Sequence, residues 1–352
     1  MWMLLFAVLA LAPAVDHPGI AGRIAGALQL HAGERVLVRF DPAHFAELVK
    51  PLEEAIRRTK AMPLPVLPAE KPLDSRLLER VDVFVRLPLG ESARQLTESE
   101  EAALIAWLAK GGSRRELHFH WAEGTRRPDG LLAPHPPEFD KLYARALGID
   151  YDALDAAQES AIAILRKGTV RIHTPTGTDV MFRIGARPFN KQNGDASPGR
   201  VRAARVRVDR HIELPAGVLR VAPVEGSVFG NISMAEARFG DTVARKVVIL
   251  MDNGRVTALR AEQGLETLRA ALEGAEFREF ALGFNPELSV PAGSDLVPYY
   301  GYGAGVVRLA FGDNQELGGA VKGGALRWLF LTNASIHIDY KYILRDGKLL
   351  LR

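Results

Sequence analysis

Residues 35–58 read RVLVRFDPAHFAELVKPLEEAIRR, and they decide the fold class of the first half of the chain. The first six residues form a mostly apolar run that is typical of a buried strand. The apolar side chains that follow recur at helical spacing, and they are Phe45, Leu48, Val49, Leu52 and Ile56. The stretch therefore predicts a strand over 35–40 and a helix over 43–58, which together make one βα unit.

Further strands and helices alternate after this unit. The sequence predicts strands over 63–67, 81–87 and 116–121 and helices over 98–110, 139–147 and 151–166. Repeated strand–helix–strand spacing favours a parallel sheet covered by helices. We therefore predict a doubly wound α/β domain over residues 17–165.

Strands joined by tight turns dominate residues 166–352, which we predict to form an α+β domain that carries the functional site. Asp252-Asn253-Gly254 predicts a hairpin, because Asn-Gly accepts the positive φ angles of a type I′ turn. A helix is predicted over 262–272. The predicted strands cover 169–174, 179–184, 202–208, 218–222, 247–251, 256–260, 280–284, 305–311 and 335–340.

The composition of the chain excludes several kinds of partner and of site. The chain has 352 residues, with 45 Lys and Arg against 42 Asp and Glu, so its formal net charge is only +3 and nucleic acid is not an indicated partner. No cysteine is present, which excludes a disulfide framework and a thiolate zinc site. Any metal ion must be held by His, Asp and Glu.

Residues 1–16 begin with an apolar run and contain Ala12-Pro13-Ala14, a small-x-small pattern that predicts a cleaved signal peptide and export to the periplasm or the medium. Without cleavage the protein would stay cytoplasmic. The run is too short to cross a bilayer, so no stable membrane span is predicted.

Two common enzyme signatures are absent from the sequence. The residues after the first strand, Asp41-Pro42-Ala43-His44, include no glycine that lets a backbone approach a phosphate, so no dinucleotide or P-loop motif is present. A Gly-x-Ser-x-Gly nucleophile elbow is also missing.

Two histidine patterns are candidates for metal binding. His118 and His120 flank Phe119 in a predicted strand, so both rings face one side of the sheet. No third ligand is fixed by their spacing, and the pattern favours an ordinary pair of surface or loop-bonded histidines. His337 and Asp339 repeat the same i, i+2 geometry near the carboxyl terminus, where a strand with a polar face is the alternative.

The run over 210–230, RHIELPAGVLRVAPVEGSVFG, resembles a segment of the aminopeptidase T family of two-metal peptidases. The Asn-Gly turn, the helix from Glu262, a strand containing Glu279 and Asn285, a strand containing Arg308, and the final His337-Ile-Asp339 follow in the family's order. The resemblance extends from about residue 19 to the end. It implies an exported metallo-aminopeptidase-like hydrolase that releases amino-terminal residues from peptides.

The family's ligand set is incomplete in this chain. The resemblance implies that Glu279, His337 and Asp339 keep ligand positions, whereas Val218 and Arg308 stand where the family has a glutamate and a histidine. The family's acidic segment is replaced by residues 299–303, and Glu213 or Glu225 is an alternative source of the missing carboxylate.

Two interpretations remain open. In the first, Glu279, His337 and Asp339 hold one divalent ion of zinc, cobalt or iron, Glu279 and Arg308 are catalytic, and Arg308 binds a substrate carboxylate or phosphate. A ring-cleaving dioxygenase relative is a variant of this interpretation. In the second, Arg308 replaces the metal and pairs with Glu279 or Asp339, which leaves a catalytically inactive binding protein.

The remaining expectations concern partners. We expect a peptide or small-molecule substrate, with Asn285 and Tyr302 joining Arg308 in binding it. Relatives of this kind tend to be dimers, so the resemblance also suggests a homodimer.

Overall fold

The computed structural model describes residues 15–90 and 94–351. The predicted signal peptide lies outside the described residues except for Val15 and Asp16.

The helices are α1 (His17–Leu28), α2 (Ala46–Arg58), α3 (Ser75–Leu78), α4 (Glu98–Ala109), α5 (Phe139–Ala146), α6 (Tyr151–Leu165), α7 (Pro198–Arg202) and α8 (Leu265–Leu272). The strands are β1 (Arg35–Phe40), β2 (Met62–Pro63), β3 (Leu67–Pro68), β4 (Val83–Arg86), β5 (Arg115–Phe119), β6 (Thr169–His173), β7 (Asp179–Arg183), β8 (Asn190–Gln192), β9 (His211–Leu214), β10 (Val218–Val221), β11 (Phe229–Phe239), β12 (Thr242–Asp252), β13 (Arg255–Arg260), β14 (Phe277–Gly283), β15 (Val307–Phe311), β16 (Arg327–Leu331), β17 (Ser335–Ile338), β18 (Lys341–Arg345) and β19 (Lys348–Leu349).

A parallel sheet in the order β2-β1-β4-β5-β9, with β3 also paired to β1, organises the first half of the chain. Val36 and Val38 of β1 pack with α1 and α2, whereas Leu37 packs on the opposite face with α3 and α4. Burial on both faces is what a doubly wound sheet requires. The last strand, β9, comes from the segment after residue 166, so the polypeptide returns to this sheet after β8.

Two antiparallel sheets follow. One has the order β16-β15-β14-β10-β8 and the other the order β13-β12-β11-β7-β6-β17-β18-β19. Asn253 and Gly254 both have positive φ in the β12–β13 turn, as their sequence predicts. Leu268 and Leu272 of α8 are buried, and Leu265 packs against the same core. The mixture of parallel and antiparallel sheets with helices confirms the predicted fold class.

The predicted strand over 202–208 is wrong. Ser197 caps α7, with Pro198 at its first turn, and a short 3-10 helix covers Arg207–Arg210. Asp209 Oδ2 accepts hydrogen bonds from the backbone N–H groups of Arg205 and Val206, at 3.0 and 3.2 Å. These bonds from an aspartate side chain occupy backbone N–H groups that a strand would use to pair with its neighbour. The alternation of polar and apolar residues in the sequence does not reveal them.

No helix among the described residues combines the length and the apolar character needed to cross a bilayer.

Candidate functional site

Three histidines meet on one face of the parallel sheet, where β5 pairs with β9. His118, His120 and His211 each offer a ring nitrogen, and these three atoms lie within 4.8 Å of one another. His120 is only 6% exposed, and the other two rings are half-buried. Neutral imidazole nitrogens are the commonest ligands of zinc and related ions, and catalytic zinc sites often use three of them.

Strand pairing explains how these residues meet. β5 and β9 run parallel, with Glu116 beside His211 and His118 beside Glu213. His118 and His120 lie two positions apart and therefore face the same side, with ring centroids separated by 3.4 Å. His211 is the first residue of β9 and lies beside Glu116, so its side chain is on the same face as the two histidines that follow Glu116 at alternate positions.

Two carboxylates orient the imidazoles. Nδ1 of His211 lies 2.7 Å from Glu116 Oε2, and Nδ1 of His120 lies 3.2 Å from Glu123 Oε1. Nε2 of His120 is buried and has no hydrogen-bond partner among the described residues. A carboxylate on one ring nitrogen with the other nitrogen unbonded is the usual arrangement around a metal-binding histidine. The donor set therefore fits a single divalent ion.

Glu213 lies beside the same point. Its Oε1 is 3.3 Å from His120 Nε2 and 3.8 Å from His211 Nε2. Its Oε2 accepts a hydrogen bond from the hydroxyl of Tyr302. The phenol therefore anchors one oxygen of Glu213 and leaves the other facing the two imidazoles.

The tyrosine segment is held in an uncommon backbone conformation. Tyr299 and Tyr300 both have positive φ, at 40° and 52°, which costs roughly 1–3 kcal/mol per residue. The hydroxyl of Tyr143 accepts a hydrogen bond from Tyr299 N at 2.8 Å, and the hydroxyl of Tyr299 donates to the carbonyl of Leu214. These contacts fix the loop against the end of β9, where Glu213 lies.

The three histidines of the cluster differ in the direction in which their pKa is shifted. Burial lowers the pKa of His118 well below its ordinary value, and the positive charge of Arg86 adds to the effect. Burial also opposes protonation of His120 and His211. The neighbouring carboxylates outweigh burial, so the pKa of His120 is raised and the pKa of His211 is about 9. Burial alone would raise the pKa of Glu213, but the close approach of His120 and His211 holds it well below its usual range. A cation binding here therefore competes with protons for the imidazole nitrogens.

A cleft of about 580 Å³ opens beside this cluster. Glu116, His211 and Glu213 line one wall, and Leu104 and Leu108 of α4 line another. The opposite wall is formed by Arg220, Arg278 and Trp328 of the β16-β15-β14-β10-β8 sheet and by Glu316 of the 3-10 helix Gln315–Leu317. The volume lies in the range of small-molecule sites.

Glu279 is fully buried behind this opposite wall and is held by arginines. Arg308 donates from Nε to Glu279 Oε1 at 2.9 Å, and Arg220 donates from Nη2 to Glu279 Oε2 at 2.8 Å. Although burial would raise its pKa, the charges of Arg220 and Arg308 lower the pKa of Glu279 to about 2. The Arg308–Glu279 contact is the one that the metal-free interpretation predicts.

The ligand set expected from the resemblance is not assembled around Glu279. His337 and Asp339 belong to the end of β17 in the other antiparallel sheet, and His337 Nδ1 bonds the backbone carbonyl of Asp339 at 2.6 Å. Ligands at about 2.0–2.2 Å from one ion lie within about 4.4 Å of each other. Among the described residues, the three-histidine cluster is the group that meets a comparable limit. Because both Glu279 oxygens are bound by guanidinium groups, the set Glu279, His337 and Asp339 does not fit an ion in this structure.

The other expected site residues have different surroundings. Asn285 is fully buried, and its amide nitrogen donates to the carbonyls of Ala216 and Ala146, at 2.7 and 3.2 Å. Arg308 is 2% exposed and also donates to the carbonyl of Tyr300, so it stands behind the cleft. Tyr302 is also buried and reaches the site through Glu213.

Sequence reasoning missed His211 as the third member of the cluster. Glu116 and His211 are 95 residues apart, and only the β5–β9 pairing brings them together. The single available signal was an alternating HIEL run before a proline, which is a short strand pattern with polar residues on one face.

Comparisons with known proteins agree on the fold. No family model matches the sequence, and no curated protein matches it. The solved structure of 2,5-dihydroxypyridine dioxygenase from Pseudomonas putida is similar, with a TM-score of 0.63 and 18% identity over 96% of this chain and 98% of that one. AmpT from Thermus thermophilus is similar with a TM-score of 0.62 and 17% identity, over 96% of this chain and 99% of that one. At these identities the likeness shows that this chain shares the fold of an aminopeptidase and of a dioxygenase.

Proposed function

We propose that this protein is a metal-dependent hydrolase that cleaves amide bonds in short peptides, with one divalent ion on His118, His120 and His211. The observation that carries the proposal is the convergence of three ring nitrogens within 4.8 Å at the edge of a cleft. The shared fold with an aminopeptidase supports a peptide substrate. Three nitrogen ligands suit zinc or cobalt.

The chain supplies a base next to the ion position. A divalent ion bound by the three imidazoles supplies Lewis acidity. Glu213 Oε1, 3.3 Å from His120 Nε2, is placed to accept a proton from the attacking water. The new bond joins the water oxygen to the amide carbon, the carbon–nitrogen bond breaks, and the proton passes from Glu213 to the departing amine. Tyr302 holds the other oxygen of Glu213 during this transfer.

Hydrolysis of alanyl-alanine tests the proposal. The metal-depleted protein is assayed alone and after addition of one equivalent of zinc or cobalt, and release of free alanine is measured. We expect activity only with metal and its loss in His211→Ala. A matched control is His173→Ala, which removes a histidine from the exposed side of β6 in another sheet. Equal activity in both variants would contradict the assignment.

A catalytically inactive binding protein is the second candidate, and the Arg308–Glu279 pair favours it. This pair occupies the position at which the resemblance implies metal ligands. The candidate predicts that the wild-type protein binds peptide in the cleft without cleaving it, with or without metal.

A further inference from the structure

The cleft has two ends of opposite charge. Glu116, Glu123 and Glu213 surround the histidines at one end, where Arg86 pairs with Glu116. At the other end Arg207, Arg220 and Arg278 line the cleft together with Glu316 and Asp313, which leaves an excess of one positive charge, while Arg308 and Glu279 pair behind them. The two oxygens of Asp313 accept backbone hydrogen bonds from Gln315 and Gly323 at 2.9 and 3.0 Å.

Arg278 has an unbonded N–H donor at this positive end. It is 8% exposed, and its Nη2 donates to Glu316. Its Nε is buried and lies 3.6 Å from Glu279 Oε2, whereas its Nη1 is accessible and makes no hydrogen bond within the described part of the chain. An accessible guanidinium N–H without an acceptor can bind an incoming anion.

Arg278 lines the cleft from an irregular point of β14. The pairing of β14 with β15 shifts register between Phe277 and Glu279, so a β-bulge interrupts the ladder at Arg278. Bulges redirect side chains and are common beside binding sites. Arg220 on the neighbouring strand β10 donates through Nε and Nη2 to Glu279, and among the described residues its Nη1 has no partner. The two residues therefore present separate N–H donors to one ligand.

We infer that the arginine end binds the terminal carboxylate of the substrate, so that the protein acts on free dipeptides and tripeptides and discriminates against blocked carboxyl termini. This inference rests on the proposed function, because the cleavage site is the histidine end. A carboxylate accepts two hydrogen bonds and carries one negative charge, which matches the two available donors. A phosphate dianion would be opposed by the neighbouring carboxylates of Glu316 and Glu213. The substrate amine would face the acidic end, so a zwitterion fits both ends of the cleft.

The test compares alanyl-alanine with its carboxamide. For the zinc-loaded wild-type protein, we expect kcat/KM for the free acid to exceed that for the amide by about tenfold or more, the usual size of one charged hydrogen bond. Arg278→Gln should bring the ratio close to one, and Arg278→Lys should restore part of it. Arg183→Gln, on the exposed side of β7, is the matched control and should keep the wild-type ratio. A wild-type ratio near one, or a ratio unchanged in Arg278→Gln, would overturn the inference.

Calorimetry of the metal-free protein separates this inference from the proposed function. Binding of alanyl-alanine about tenfold tighter than the amide, lost in Arg278→Gln and kept in Arg183→Gln, supports the arginine end even if no hydrolysis occurs. Hydrolysis of both compounds at equal rates would leave the proposed function standing and remove the inference. Denaturation curves of each variant identify any loss of binding or of hydrolysis that comes from unfolding.

Discussion

Arg308 Nε donates to Glu279 Oε1 at 2.9 Å in an ion pair that is almost fully buried. Arg220 binds the other oxygen of the same carboxylate. Two guanidinium groups thus surround one carboxylate at the position where the resemblance to aminopeptidases implies metal ligands. The positive charge that an ion would supply is already provided by the chain.

Removal of Arg308 should destabilise the fold. Arg308→Ala leaves Glu279 with one strong partner in a buried site, and loss of one member of a buried pair costs about 3–5 kcal/mol of unfolding free energy. Urea denaturation at pH 7 measures the change. Arg183→Ala, an exposed arginine on β7, should change the unfolding free energy by less than about 0.5 kcal/mol. Similar small effects from both substitutions would show that the Arg308–Glu279 pair contributes little to the unfolding free energy.

Arg308→His should not create a metal site around Glu279. The substitution introduces the histidine that the aminopeptidase T resemblance implies, but Arg220 still binds Glu279, and His337 and Asp339 lie on another sheet. Zinc titration by calorimetry should therefore give the wild-type stoichiometry. One additional zinc equivalent in this variant would instead favour a family-type site that was lost through a single exchange.

Tyr302→Phe should reduce turnover more than substrate binding. The hydroxyl of Tyr302 anchors Glu213, so its loss frees the proposed base to rotate, and kcat should fall by about tenfold or more with little change in KM. Tyr342→Phe on β18 is the control, because that ring packs beside His337 in the other antiparallel sheet. An equal fall in kcat for both variants would show that the effect is not specific to Glu213.

Acid should weaken the fold through Glu34. Arg115, the first residue of β5, donates hydrogen bonds to both oxygens of Glu34, at 2.8 and 2.9 Å. Burial would raise the pKa of Glu34, but the hydrogen bonds from Arg115 lower it below the ordinary value of 4.5. A lowered folded-state pKa means that this stabilisation is complete above about pH 5 and is lost as the pH falls through the folded-state pKa.

The Glu34→Gln variant isolates this effect. It should be less stable than wild type at pH 7, by roughly 1.5–3 kcal/mol for a charged hydrogen-bonded pair. The difference should narrow as the pH is lowered from about 5 toward 3, when the wild-type carboxyl takes up its proton. Urea denaturation over this pH series measures it, and a constant difference at every pH would rule out the carboxylate as the cause.

The sequence predicts the fold better than the site, for a physical reason. Burial patterns such as those of Val36 and Val38, or of Leu268 and Leu272, are local in the chain and repeat with the period of the strand or helix. The Asn253-Gly254 turn is equally local, since it depends on the φ angles that two adjacent residues accept. The sequence alone therefore predicts the fold class and many of the individual strands and helices, but not β11 or the return of β9 to the parallel sheet.

The site depends on contacts between distant segments. His118 and His120 are recognisable as a pair, but their third partner, His211, reaches them only because β9 returns to the parallel sheet beside β5. The same holds for Arg220, which meets Glu279 across the pairing of β10 and β14. The resemblance draws attention to Glu279 and Arg308, but it does not indicate that the carboxylate is already bound on both sides.

Cobalt(II) titration of the metal-depleted protein, followed by visible absorption, tests the three-histidine site most directly. Cobalt on a site of three imidazoles with an open position gives d–d bands whose growth stops at saturation. We predict an endpoint at about one equivalent in wild type, loss of the bands in His118→Ala and in His211→Ala, and wild-type bands in His337→Ala. A titration without bands, or bands that survive in His211→Ala and vanish in His337→Ala, would contradict the account.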